Sequence, residues 1–108
     1  MKEKFAYFKS IFEGDFYFNK LHQYLYATDA SVYRKLPLAV AFPKSSTGII
    51  QLIDFATKYQ TSLIPRAAGT SLAGQCVGDG IIVDVSKYFT KIISIDKHNK
   101  TIRLQPGV

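Results

Sequence analysis

The chain has 108 residues, of which 47% are hydrophobic and 14% aromatic, so it can build one modest core but not two independent domains. This composition is typical of a folded globular protein rather than a disordered one. No apolar run approaches the roughly 20 residues that a membrane helix needs. The N-terminus is charged at Lys2, Glu3, Lys4 and Lys9 where a signal peptide would be apolar. We therefore expect a cytoplasmic protein without a membrane span.

The net charge of +6 comes from dispersed basic residues, and only Arg34 and Lys35 are adjacent. Because proteins that bind nucleic acid usually carry a basic stripe or cluster, we expect no nucleic-acid partner, and a solvated surface or an anionic ligand accounts for the charge. Cys76 is the only cysteine, which excludes an internal disulfide. His22 and His98 lie too far apart in sequence to suggest a metal site.

The first third of the chain predicts one helix followed by irregular structure. Residues 3–12 predict an amphipathic helix, because three phenylalanines share one face: Phe5, Phe8 and Phe12. Gly14 is expected to end it. Asp15–Leu25 has no clear period, and Tyr26–Pro37 is rich in turn formers, so we expect a long ordered loop.

The middle of the chain predicts a βαβ unit. Leu38–Phe42 is a continuous apolar run, typical of a strand buried on both faces of a parallel sheet. Hydroxyl residues then precede apolar residues at helical spacing, which predicts a helix over residues 46–60. Ser62–Pro65 follows as a second strand, with a right-handed crossover expected, and Ile81–Val85 as a third.

The end of the chain predicts a β-hairpin, with strands at Lys91–Asp96 and Lys100–Gln105 around a short turn. The fold class is therefore α/β (α+β): a small mixed sheet with a βαβ unit, an N-terminal helix and a C-terminal β-hairpin. Because the last residues run from a strand into a Pro-Gly turn, we expect the chain to be part of a longer domain.

The loop from Pro65 to Gln75, PRAAGTSLAGQ, carries the strongest functional signal. Gly69 and Gly74 permit backbone torsions that other residues resist, so that consecutive N–H groups can turn toward an anion. Thr70 and Ser71 add hydroxyl donors, and a helical turn at residues 71–75 would add a helix N-terminus. The loop leaves the C-terminal end of a parallel strand, where α/β sheets bind their ligands.

A turn-rich connection without a ligand is the alternative interpretation of this loop. Neither Gly-x-x-x-x-Gly-Lys-Ser/Thr nor Gly-x-Gly-x-x-Gly occurs in the chain, which excludes a nucleoside-triphosphate P-loop and a Rossmann dinucleotide site. A nucleotide cradle of another kind remains open.

The loop resembles the pyrophosphate-binding loop of FAD-linked oxidases with a vanillyl-alcohol-oxidase type FAD-binding domain. Its sequence is most similar to the D-lactate dehydrogenase and glycolate oxidase branch, whose loop reads approximately Pro-Arg-Gly-Ala-Gly-Thr-Gly-Leu-Ser-Gly. The resemblance runs from Tyr26 to the end of the chain and includes Thr28–Tyr33, Ala39–Lys44, Gly80–Asp84 and Gln105–Val108. It implies the first subdomain of a two-subdomain FAD-binding domain, with residues 1–37 as an N-terminal helix-and-loop segment and residues 38–108 as the N-terminal part of that domain.

The resemblance also implies which residues contact FAD. Arg66 to Gln75 would line the pyrophosphate, mainly through main-chain N–H groups, and Pro106 and Gly107 would lie near the adenosine. The cofactor-binding set is Arg66, Ala67, Ala68, Gly69, Thr70, Ser71, Leu72, Gly74, Gln75, Pro106 and Gly107. Thr70 stands where covalent members carry a histidine, which implies non-covalent FAD, and Ala67 replaces the more usual glycine.

Several single residues keep alternative roles. Arg66 pairs with phosphate, pairs with Asp84 or lies in solvent, and Asp29 and Ser31 either approach the flavin or cap a turn. Cys76 is interpreted as a packing residue. His22 has no visible partner and His98 falls in the hairpin turn, so neither is a candidate catalytic base.

The resemblance implies an FAD-dependent enzyme that oxidises a 2-hydroxy acid such as D-lactate or glycolate and passes electrons to an acceptor. Its catalytic residues would lie beyond Val108, and the fragment alone is expected to be inactive, to bind FAD weakly or not at all, and to self-associate through exposed edges. A module for another phosphate ligand and a non-enzymatic interaction domain are the alternatives.

Overall fold

The computed structural model describes residues 1–108. Each predicted helix and strand is confirmed, with bounds that differ from the prediction by no more than one residue at either end. The elements in chain order are α1 (Lys2–Ile11), β1 (Gly14–Tyr17), α2 (Lys20–Leu25), β2 (Ala39–Pro43), α3 (Ser46–Tyr59), β3 (Leu63–Arg66), β4 (Ile81–Asp84), β5 (Ile92–Asp96) and β6 (Thr101–Leu104). The mixed α/β class is thereby confirmed.

A four-stranded sheet in the order β1-β2-β4-β3 organises the chain. Strands β2, β4 and β3 are parallel, and β1 pairs antiparallel with β2 at the edge. Every residue of β2 and β4 is buried, as their continuous apolar sequences predict for central strands. Helix α3 connects β2 to β3, and β4 inserts between them.

One face of the sheet is covered by a cluster of phenylalanine rings. Phe8 of α1 lies 4.7 Å from Phe55 of α3 and 5.2 Å from Phe16 of β1, measured between ring centroids. Phe16 is only 1% exposed. The N-terminal 37 residues therefore share one hydrophobic core with the rest of the chain.

The prediction of no regular structure over Asp15–Leu25 was wrong, because β1 and α2 both lie there. Strand β1 has four residues and α2 has six, too few to give a period, and a helix this short depends on tertiary contacts. Asn19 caps α2 by accepting a hydrogen bond from the His22 N–H. His22 also has a partner that the sequence did not reveal, since its ring stacks on Tyr17 with centroids 3.9 Å apart.

The carboxyl ends of the parallel strands meet at one edge of the sheet, where Arg66 at the end of β3 is the register partner of Asp84 at the end of β4. The loop that follows β3 and the turn that follows β4 therefore begin side by side. None of the three helices is both long enough and apolar enough to cross a membrane.

Candidate functional site

The loop between β3 and β4 has the backbone torsions that its glycines predict. Gly69 adopts φ +71° and Gly74 adopts φ +78°, in the left-handed region that side chains disfavour. Gly69 also lies against Arg66, because a β-carbon at Gly69 would stand 2.5 Å from Nη2 of that side chain. The torsion therefore favours glycine at position 69, and a side chain there would displace the Arg66 guanidinium.

Eight consecutive backbone N–H groups in this loop, from Ala67 to Gly74, have no hydrogen-bond partner within the chain. The next N–H groups are bonded: Gln75 donates to Oγ of Ser71 at 3.0 Å, and Val77 donates to the Gly74 carbonyl at 3.3 Å. Successive free N–H groups beside left-handed glycines are the backbone groups from which anion-binding nests are built. A loop with this composition suits an anion with several oxygen acceptors, such as a pyrophosphate.

The helical turn considered for residues 71–75 does not form: residues 72–74 are bends, and only Gln75 begins a hydrogen-bonded turn. Ser71 instead caps the loop through its bond from Gln75. The loop therefore attracts an anion through individual N–H groups and not through a helix N-terminus.

The loop lies against the segment Thr28–Tyr33, which we call the 28–33 segment. The Ala30 N–H donates to the Gly69 carbonyl at 3.0 Å, and the Cys76 N–H donates to Oδ2 of Asp29 at 3.4 Å. Oδ1 of Asp29 accepts from the Ser31 N–H at 2.8 Å, so Asp29 caps a turn, one of its two alternatives. Hydrogen bonds from the Ser31 side chain and backbone lower the pKa of Asp29.

Arg66 contacts the same part of the chain. Its Nη1 donates to the Thr28 carbonyl at 2.7 Å, and its guanidinium lies 5.0 Å from the ring centroid of Tyr26. Asp84 forms no ion pair with Arg66 and accepts instead from the Tyr26 hydroxyl at 2.6 Å and from Ser86. Burial, followed by this hydrogen bond, raises the pKa of Tyr26 above its ordinary value.

The two C-terminal candidates lie along the same edge of the sheet. The Gly107 N–H donates to the Phe89 carbonyl at 2.7 Å, and a β-carbon at Gly107 would stand 2.4 Å from the Val85 carbonyl oxygen. The Val85 N–H donates to the Arg66 carbonyl at 2.9 Å. The turn after β4 thus connects the Pro106–Gly107 end of the chain to the base of the loop.

Sequence reasoning did not assign Tyr26 or the Thr28 carbonyl to the site. Tyr26 is the first residue of the stretch that carries the resemblance, but its spacing to Arg66 and Asp84 carries no local signal. A side chain that bridges two parallel strands from a distant loop is visible only once those strands are paired.

A loop of free N–H groups at the carboxyl edge of a parallel sheet is suited to a phosphate-containing ligand, and this edge is where α/β domains bind their ligands. Residues 37–108 match the family described as FAD binding domain, and the chain belongs to this family. The predicted resemblance is thereby confirmed, and FAD is the cofactor of the family. The left-handed glycines of the loop and its free N–H groups fit the FAD pyrophosphate.

The chain is 39% identical over 100 residues to the D-2-hydroxyglutarate dehydrogenase of Haemophilus influenzae, covering 90% of this chain and 10% of that protein. It is 33% identical over 86 residues to the glycolate oxidase subunit GlcD of Bacillus subtilis, covering 78% of this chain and 18% of that protein. A solved structure of p-cresol methylhydroxylase with substrate bound shares the fold, with a TM-score of 0.82 and 14% identity over 99% of this chain and 22% of that chain. The chain thus spans a small part of each relative.

Proposed function

We propose that this chain forms the pyrophosphate-binding part of the FAD-binding domain of an oxidoreductase that acts on a 2-hydroxy acid. The observation that carries the proposal is the run of eight free N–H groups from Ala67 to Gly74, in a loop whose glycines adopt left-handed torsions. Membership of the FAD-binding family supports the cofactor. The names of the relatives, a D-2-hydroxyglutarate dehydrogenase and a glycolate oxidase subunit, support the substrate class.

The residues that we assign to FAD are those of the loop and the terminal turn. The main-chain N–H groups of residues 67–74 neutralise the pyrophosphate charge, and the hydroxyls of Thr70 and Ser71 add donors. Thr70 carries a hydroxyl where covalent members carry the histidine that is attached to the flavin, which supports non-covalent binding. The proposed contact set is Ala67, Ala68, Gly69, Thr70, Ser71, Leu72, Gly74, Gln75, Pro106 and Gly107, and Arg66 belongs to the site as the residue that begins the loop.

When bound, FAD accepts the hydride that the substrate loses. This chain contributes binding and orientation of the cofactor, and we assign no catalytic residue to it. Glycolate, D-lactate and D-2-hydroxyglutarate share a hydroxyl on the carbon next to a carboxylate, and the proposal is for this class. Reoxidation by a separate electron acceptor and a cytoplasmic location remain predictions.

A calorimetric FAD titration tests this proposal with two forms of the protein: this chain, and the same reading frame expressed through the complete FAD-binding domain. We expect saturable binding by the longer form and weak or no binding by the chain alone. Gly69→Val and Gly74→Val should abolish binding by the longer form, because valine cannot adopt these torsions without strain. Thr57→Val on the exposed face of α3 is the control and should bind normally.

Absence of FAD binding by both forms would overturn the proposal. Binding of another phosphate compound would then favour the phosphate-ligand module, and absence of any such binding would favour the interaction domain. Retained affinity in both valine variants of the loop would show that FAD binds elsewhere.

A further inference from the structure

The guanidinium of Arg66 contacts the protein itself, which bears on how it serves the proposed FAD site. Nη1 donates to the Thr28 carbonyl at 2.7 Å, and Nη2 lies close to Gly69. The planar group also lies 5.0 Å from the Tyr26 ring centroid, within range of a cation–π interaction. One of the five N–H donors of Arg66 and one face of its guanidinium are therefore directed at the support of the loop.

The position of the Tyr26 ring is fixed by a hydrogen bond to a buried carboxylate. Its hydroxyl donates at 2.6 Å to Asp84, which is only 5% exposed and ends the central strand β4. Asp84 also accepts from the backbone N–H and the hydroxyl of Ser86. A carboxylate with three donors in a buried position is a rigid anchor.

The 28–33 segment completes this support. The Thr28 carbonyl accepts a hydrogen bond from Arg66, and the Ala30 N–H donates to the Gly69 carbonyl. The carboxylate of Asp29 accepts a hydrogen bond from the Cys76 N–H at the far end of the loop. The loop is thus held at its start, middle and end by one segment, while its own N–H groups from residue 67 to residue 74 stay free.

We propose that Arg66 is a positioning residue, whose guanidinium joins the Thr28 carbonyl and the Asp84-anchored ring of Tyr26 and so holds the loop in its anion-binding shape before the cofactor arrives. This inference rests on the proposed function. It assigns the attraction of the pyrophosphate to the free N–H groups, and it assigns Arg66 the task of keeping them convergent. Preorganisation of this kind raises affinity, because no binding energy has to be spent on ordering the loop.

The test uses the longest form of the protein that the reading frame encodes, with FAD affinity measured by calorimetry at about 50 mM and about 300 mM salt, concentrations across which screening of exposed charges changes strongly. Arg66→Met should weaken FAD binding by roughly tenfold or more, the scale of one lost hydrogen bond from a charged group. The ratio of the dissociation constants at the two salt concentrations should equal that of the unmodified protein.

Two further variants separate positioning from direct contact. Arg66→Lys should fail to restore affinity, because an ammonium keeps the charge but not the planar group that lies on Tyr26. Tyr26→Phe should weaken binding in the same direction, although its hydroxyl faces Asp84. Arg103→Met and Tyr7→Phe, both exposed and outside the site, are the matched controls and should bind FAD normally.

A phosphate ligand would behave differently. Arg66→Met would then flatten the salt dependence, Arg66→Lys would retain most of the affinity, and Tyr26→Phe would leave it unchanged; this pattern overturns the inference. Unchanged affinity in Arg66→Met with a lowered melting temperature would also overturn it, because the role would then be structural alone. If the unmodified protein does not bind FAD, the proposed function fails first and the inference fails with it.

Discussion

Gly74 lies directly beneath the ring of Tyr33, so that a β-carbon at position 74 would stand 2.8 Å from Cδ2 of that ring. Gly74 also has φ +78°. Two features therefore constrain the last turn of the loop: the left-handed torsion of Gly74 and an aromatic ring from the 28–33 segment. Because these two constraints are independent, they can be separated by mutation.

We expect Gly74→Ala to reduce the free energy of unfolding by about 1–2 kcal/mol from the left-handed torsion alone, with an added loss from displacement of the ring. Chemical denaturation measures this loss. Adding Tyr33→Ala to the variant should relieve only the part due to the ring. Gly78→Ala is the control, because it meets only the flexible end of Ile64, and it should cost less. Equal losses for Gly74→Ala and Gly78→Ala would contradict this prediction.

Asp84→Ala should destabilise the chain by about 2–4 kcal/mol, because it removes the acceptor for three hydrogen bonds in a buried position. Asp84→Asn should lose less, since one carbonyl oxygen remains to accept. The urea midpoint of each variant measures the effect. Asp54→Ala, on the exposed side of α3, is the control and should change stability little. A midpoint for Asp84→Ala near that of the control would disprove the anchoring role of Asp84.

The lowered pKa of Asp15 predicts that part of the stability of the fold depends on pH in the acid range. A hydrogen bond from the Tyr88 hydroxyl, together with Lys87 and Lys44, lowers the pKa of Asp15 below the reference value of 3.8. Because the folded pKa is below the unfolded one, the carboxylate stabilises the fold above pH 3.8, and this contribution is lost as the pH falls through the folded value.

Asp15→Asn should therefore be less stable than the unmodified chain at about pH 6, and the difference should shrink toward about pH 2. Unfolding free energies measured across this range provide the test. Asp29 and Asp96 also have lowered pKa values from local hydrogen bonds, so the unmodified chain and the variant share the remaining acid sensitivity. A difference that stays constant with pH would exclude a role for the ionised Asp15.

The exposed apolar side chains and open edges of the β5–β6 hairpin predict self-association of the isolated chain. Ile95 and Ile102 are cross-strand partners and are 65% and 52% exposed, and each strand of this two-stranded sheet has one unpaired edge. Sedimentation should detect association that increases with concentration. The double variant Ile95→Lys with Ile102→Glu should remain monomeric, because it removes the apolar pair and keeps an attractive cross-strand contact. Val32→Lys, in an exposed loop, should associate like the unmodified chain; equal association by the double variant would contradict the prediction.

Long periodic segments were predictable from the sequence. Helix α3 spans 14 residues with a serine cap, and the continuous apolar residues of β2 and β4 indicate central parallel strands. The loop PRAAGTSLAGQ was also predictable, because glycine torsions and small side chains are local properties. Strand β1 and helix α2 were not predictable, since their four and six residues are stabilised by pairing with β2 and packing on it.

The sequence by itself determined the family, the long helices and central strands, and the loop that is suited to an anion, because each depends on residues that are neighbours along the chain. Only the tertiary structure decided how that loop is supported. Arg66 had three possible roles in the sequence, and its contact with Thr28 and Tyr26 joins residues 38 and 40 positions apart. Contacts of that separation depend on strand pairing and loop closure, which local sequence patterns do not encode.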